Sequence, residues 1–192
     1  MNYEAINILD MIEAVGEDAV EAALSKFSCL KNREIEKFVK NNAVIFAKKK
    51  MSITYLVYDE NGEFAAIFTL AHKALEISGE GLSKTVRNKL CRFSTLDENK
   101  NSYNVSAFLI GQFGKNDNYP GENISGSNLM DFTFAILLKV QHDIGGSVVY
   151  LDCEENEKLI NFYTKEPNLF RAFGDTYSEV DGTKYIQLLK FI

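Results

Sequence analysis

The order of elements in residues 105–153 constrains this chain more than any other feature. "VSAFLIGQFGK", from Val105, is an apolar run of strand length with Gly111 and Gly114 near its end. Glycine there marks a bulge or a close backbone approach. After a loop, "ISGSNLMDFTFAILLKVQHD" opens on small polar residues and passes into a helical repeat from about Gly126 to Asp143. "SVVYLDC" follows as a buried strand. Two strands joined through a helix lie parallel, and such a crossover is right-handed.

The rest of the chain reads outward from this unit. Residues 4–24 are expected to form one or two short helices broken at Gly16, with Ile8, Leu9, Ile12, Val20 and Leu24 as their apolar stripe. "NREIEKFVKNNAVIFAKKK" reads as one amphipathic helix with Ile35, Phe38, Val39, Ala43 and Phe46 on one face. "SITYLVYD", "ENG" and "EFAAIFTLA" make a hairpin with Asn61-Gly62 at its tip. "LSKTVRNKLCRF" is a helix capped by Ser83, and "STLDENKNSYN" a polar loop. "NEKLINFYTK" is a helix, and "KYIQLLKFI" a final strand. The order is that of a mixed α/β (α+β) protein. The two prolines, Pro120 and Pro167, make no linker, so one domain is expected over 1–192, with 1–25 as a helical N-terminal extension.

Composition limits the function classes. A chain of 192 residues that is 46% hydrophobic can bury a sizeable core. Its net charge of -6 supplies no global field for nucleic acid or an anionic membrane. Cys29, Cys91 and Cys153 are far apart, and His72 and His142 stand alone, so no metal-ligand spacing exists. Reduced thiols in a cytoplasmic protein are the expectation. The N-terminus lacks the basic region of a signal peptide, and no window reaches the roughly 20 apolar residues of a membrane span.

The start of the long helix carries the chemistry. N–H groups at a helix start point outward with partial positive charge, Gly126 permits close approach, and Ser125, Ser127 and Asn128 can add hydrogen bonds. A phosphate cradle and an ordinary Ser/Asn cap both fit this pattern. A nucleotide-hydrolysing P-loop and a dinucleotide fingerprint do not.

The wider order, from strand and phosphate-type turn through helix and "VVYLDCEEN" to a helix with "LINFYTK", resembles the GNAT family of acyl-CoA-dependent N-acetyltransferases. Their later helix often reads Asn-x-x-Ala-x-x-Phe-Tyr-x-x-x-Gly-Phe, a register on which Asn156, Phe162 and Tyr163 fall; Ile160 lies one residue past the alanine position, which Leu159 takes. Upstream, "FSCLKNREIEKFVKNNA" and the hairpin look like the N-terminal half of a GNAT subgroup that includes toxin-antitoxin acetyltransferases. The likeness covers about residues 27–192.

What the resemblance implies is specific. The fold would be a twisted mixed sheet of six or seven strands with helices on both faces. The cofactor would be acetyl-CoA. Phe113, Gly114 and Lys115 would meet its pantetheine arm, and Ser125, Gly126, Ser127 and Asn128 its pyrophosphate. Asn156 and Phe162 would also touch the cofactor. Tyr163 would reprotonate the CoA thiolate; apart from the resemblance, Glu154 and Glu155 stand at the end of a strand facing the expected cleft, where either could bind the amine or relay its proton. The acceptor would be a primary amine on a small molecule or peptide. Two rivals stay open. One is a toxin-like enzyme acting on aminoacyl-tRNA, which the net charge opposes. The other is a non-catalytic protein that binds acyl-CoA or a partner. Dimers are common among such proteins. The chain also departs from the family pattern: Ile124 and Gly121 stand in the turn where glycine and Gln/Arg are usual, and "TKEPNLFRAFG" replaces the compact Gly-Phe ending.

Overall fold

The computed structural model describes residues 2–122, 124–178 and 182–192. In chain order its elements are β1 (Tyr3–Asn7), α1 (Ile8–Val15), α2 (Glu17–Ser25), α3 (Arg33–Asn41), α4 (Ala43–Lys48), β2 (Ile53–Asp59), β3 (Phe64–Ser78) and α5 (Lys84–Leu90). They continue with β4 (Leu96–Asp97), β5 (Ser102–Lys115), α6 (Gly126–Ile144), β6 (Val148–Glu154), α7 (Glu157–Thr164), β7 (Arg171–Tyr177) and β8 (Lys184–Phe191). The eight-stranded sheet has the order β1-β2-β3-β5-β6-β8-β7, with β4 paired on β5. No helix among the described residues is long and apolar enough to cross a membrane.

The chain forms two compact units, Met1–Ala71 with Ile110–Lys139 and His72–Leu109 with Val140–Ile192. In the first, β1 and β2 pair antiparallel, Tyr3 opposite Asp59 and Asn7 opposite Tyr55, and β2 pairs antiparallel with β3. The core gathers Ile8, Val20, Leu24, Phe27, Val39, Ala43, Ala47, Leu56 and Ile67. These are the apolar stripes of α1–α4 laid on the inward side chains of β2 and β3.

Two sequence expectations are corrected here. The N-terminal segment is not helical from residue 4: Tyr3–Asn7 is an edge strand, and α1 begins at Ile8 because Asn7 caps it, accepting the Leu9 N–H at 2.9 Å. The helix expected over residues 32–50 is two helices. Asn42 closes α3 by donating its N–H to Phe38 O at 2.8 Å, then starts α4 by accepting from Phe46 N at 2.8 Å. The apolar spacing runs across the break because both helices pack on the same core.

In the second unit, β5 and β6 are parallel, with Phe108 opposite Val149 and Leu109 opposite Tyr150, as the crossover requires. Strand β6 pairs antiparallel with β8 from Val148–Phe191 to Glu154–Tyr185. Strand β7 completes the edge, with a bulge at Ala172/Gly174. Ser83 caps α5 as expected, accepting from Val86 N at 3.3 Å. The core here is Leu75, Ile77, Val86, Leu90, Val105, Val148 and Leu189 with Tyr103 and Tyr150.

Candidate active site

The first unit carries the end of β5 and the start of α6. Gln112 donates its N–H to Thr69 Oγ1 at 2.7 Å, and Asn116 donates its N–H to Ala65 O at 2.9 Å. Backbone direction alternates along a strand, so the N–H groups of Phe113 and Lys115 point to the edge away from β3. Gly114 packs closely on α3: a Cβ there would lie 3.1 Å from Ile35 Cγ2, a tight contact.

Ser125 is the N-cap of α6. Its Oγ accepts the Asn128 N–H at 3.0 Å and lies 2.5 Å from Asn128 Oδ1, while Leu129 N–H reaches Ser125 O at 3.1 Å. The cap therefore uses Ser125 and Asn128 on each other. Among the described residues, the N–H groups of Gly126 and Ser127 have no protein acceptor. The structure shows a serine cap at the positive end of a 19-residue helix. Ile124, which takes a usual glycine position of the turn, is buried and anchors it. One turn into α6, Asn128, Asp131, Phe132 and Ala135 line a shallow depression of about 340 Å³. The Asp131 carboxylate opposes extra negative charge there.

Sequence reading missed how the segment before this turn is fastened. Asn116 Nδ2 donates to Phe64 O at 2.8 Å, and its Oδ1 accepts Ser28 N–H at 3.0 Å. Asp117 Oδ2 accepts Leu30 N–H at 2.6 Å, and Asn118 Nδ2 donates to Lys26 O at 2.9 Å. The run "NDNY" signals a loop; only the fold shows that it clamps residues 26–30.

The second unit carries Glu154, Asn156, Phe162 and Tyr163. Tyr163 is 9% exposed. Its ring meets Phe162 at 4.9 Å and Phe170 at 6.1 Å, both edge-on. Burial, then the neighbouring Cys153, pushes the phenol well above its ordinary range, so it keeps its proton at neutral pH. Asn156 caps α7, accepting Lys158 N–H at 3.0 Å and Leu159 N–H at 3.3 Å. Glu154 ends β6 opposite Tyr185, half-buried. Glu155 is held by Lys184 at 2.9 Å. Asn168, also missed from sequence, is buried and donates to Phe162 O at 2.8 Å. Burial pushes the Cys153 thiol up to about 11, with Glu154 adding to it, and raises Cys29 as well. Neither is a poised nucleophile. No group of three metal-ligating side chains occurs among the described residues.

Neither a protein-family profile nor a curated protein matches the sequence. Solved structures do. AtaT complexed with acetyl-methionyl-tRNAfMet superposes with a TM-score of 0.64 at 13% identity, over 96% of this chain and 94% of that one. A tyrosine-to-phenylalanine mutant of KacT gives 0.65 at 15% identity, over 100% and 95%. AtaTR bound with acetyl-CoA gives 0.61 at 14% identity, over 99% and 92%. The fold is that of the GNAT toxin acetyltransferases.

At this identity the likeness is one of fold, and side-chain roles rest on local geometry. Phe113, Gly114, Lys115 and Ser125–Asn128 lie in the first unit, and Glu154, Asn156, Phe162 and Tyr163 in the second. The sheet has eight strands among the described residues, where the resemblance implied six or seven; β1, β4 and β7 are the three that the sequence pattern did not show.

Proposed function

We propose that this chain transfers an acetyl group from acetyl-CoA to a primary amine. The observation that carries the reading is the start of α6: a Ser125 cap at the positive end of a long helix, where the Gly126 and Ser127 N–H groups have no acceptor among the described residues and would serve a pyrophosphate. The AtaTR neighbour with acetyl-CoA supports the choice of cofactor.

In this reading the pantetheine arm runs along the backbone of Phe113, Gly114 and Lys115, with Asn156 and Phe162 as further contacts. The amine nitrogen attacks the thioester carbonyl, and the tetrahedral intermediate collapses by breaking the C–S bond. Tyr163 gives its proton to the departing thiolate, and Glu154 takes the proton the amine loses. Burial keeps the phenol in the protonated form a donor needs, while making it a weaker acid.

Aminoacyl-tRNA is the second acceptor to consider, since AtaT is seen with acetyl-methionyl-tRNAfMet. Net charge opposes it less than the chain total suggests. Residues 1–25 hold six carboxylates and no Lys or Arg, so of 27 acidic and 21 basic side chains the remainder keeps 21 of each. Residues 82–95 carry Lys84, Arg87, Lys89 and Arg92 with no carboxylate.

The test is calorimetric titration of acetyl-CoA into wild type and Gly126→Asp, followed by transfer of labelled acetyl to amines and to charged tRNA. Micromolar binding lost in the variant supports the cradle. No binding to a folded wild type overturns the reading and leaves α6 with a cap alone.

A further inference from the structure

We infer that Tyr119, through Asp59, is a positioning residue for the cofactor's pyrophosphate, an inference that rests on the acetyl-CoA reading. Its hydroxyl donates to Asp59 Oδ2 at 2.8 Å, and both residues are buried. Asp59 is itself immobile, because its Oδ1 accepts the N–H groups of Asn61 and Glu63, each at 2.9 Å, in the β2–β3 turn. Those bonds hold its carboxyl below the usual range, so it is an ionised acceptor for the phenol.

From this anchor the chain is tied down step by step to the helix start. The Tyr119 ring lies under Gly121 so closely that a Cβ there would meet its Cζ at 2.5 Å. Tyr3 donates its hydroxyl to Glu122 O at 3.0 Å. Ile124 is buried, and Ser125 caps α6. The Tyr119–Asp59 bond joins two buried side chains, while the Tyr3–Glu122 and Ser125–Asn128 bonds are exposed. Removing the phenol oxygen leaves a buried carboxylate oxygen without its donor, and the turn loses its fixed origin. The donors on Gly126 and Ser127 are thus aimed before any anion arrives, and binding pays little for ordering them.

The experiment compares two acetyl donors, acetyl-CoA and S-acetylpantetheine, which lacks the pyrophosphate. Tyr119→Phe is expected to raise KM for acetyl-CoA about tenfold, with kcat unchanged within about twofold and KM for S-acetylpantetheine unmoved. Hydrogen exchange over residues 117–125 should quicken. Asp59→Asn, which keeps an amide partner for the phenol, should fall between the variant and wild type; it also serves if Tyr119→Phe does not fold. An equal rise in KM for both donors, or no change for either, overturns the positioning role. A wild type that uses acetyl-CoA no better than S-acetylpantetheine overturns instead the pyrophosphate reading beneath it, whatever Tyr119 does to hydrogen exchange.

Discussion

Glu36 on α3 accepts the backbone N–H of Cys29 at 2.9 Å through one oxygen and Lys40 Nζ at 2.8 Å through the other. The same carboxylate receives Arg33 at 2.9 Å, so it joins the start of α3 to the loop before it. Lys40, then the Cys29 N–H, with Arg33 adding to them, hold its carboxyl down at about 2, from an ordinary 4.5. A carboxylate whose folded pKa is depressed stabilises the fold above its unfolded value, and that contribution is lost as pH falls. The window therefore runs from about 4.5 down to about 2. Asp59 is shifted the same way and adds to the same limb. Thermal melts from neutral pH to about pH 3 should show wild type losing stability, and Glu36→Gln losing less from a lower start. Parallel curves for the two proteins would exclude Glu36 as a source of the slope.

Gly146 turns the chain into β6 with φ +108°, and a Cβ there would sit 2.7 Å from Phe108 Cε2. Gly146→Ala meets both a backbone that L residues rarely adopt and an aromatic ring fixed in the sheet. The expected cost is about 1–3 kcal/mol in denaturant melts. Gly145→Ala is the control, since it shares a positive φ but has open space where its Cβ would lie. A Gly146→Ala loss no larger than the control's would mean that Phe108 moves aside.

Asn156 separates a cap from a ligand. Its Oδ1 is already spent on Lys158 and Leu159. Asn156→Ala should cost about 1 kcal/mol of stability, and Asn156→Asp or Asn156→Ser should recover most of it. A cofactor contact through the side-chain amide would give a different order: Ser and Asp would restore stability without restoring acetyl-CoA affinity. Affinity that tracks stability across all three variants would leave Asn156 with the cap only.

The elements legible in the sequence are those whose signal is local. Ser83 caps the helix it was expected to cap. The apolar runs of β5 and β6 sit parallel because a helix must join them. What was lost depends on distant partners. The strand "YEAIN" exists because β2 lies beside it, and nothing in five residues separates it from the helix that follows. Strand β7 is largely exposed and bulged, so no alternation marks it. The clamp residues Asn116 and Asp117 and the anchor Tyr119 bond to residues 52 to 88 positions away. The averaged net charge hid a chain that is acidic at its start and balanced thereafter. The candidate site residues were nameable because turn and helix starts are local; the framework holding them was not.

Tyr163 is the sharpest test of the chemistry. It is buried between Phe162 and Phe170 on α7, and its phenol is raised well above the ordinary range. A general acid contributes about 10²–10⁴-fold, so Tyr163→Phe should lower kcat by at least about 10² while acetyl-CoA affinity moves little. A melt of the variant checks that it stays folded, since ring and packing are kept and only the hydroxyl is removed. The pH–rate profile adds an independent sign. A phenol with its ordinary pKa would lose its proton, and activity with it, near pH 10. With the pKa raised, the wild-type rate should stay level through that range for as long as the fold survives. Full turnover in the Phe variant would reduce Tyr163 to a core residue, and the thiolate's proton would have to come from water.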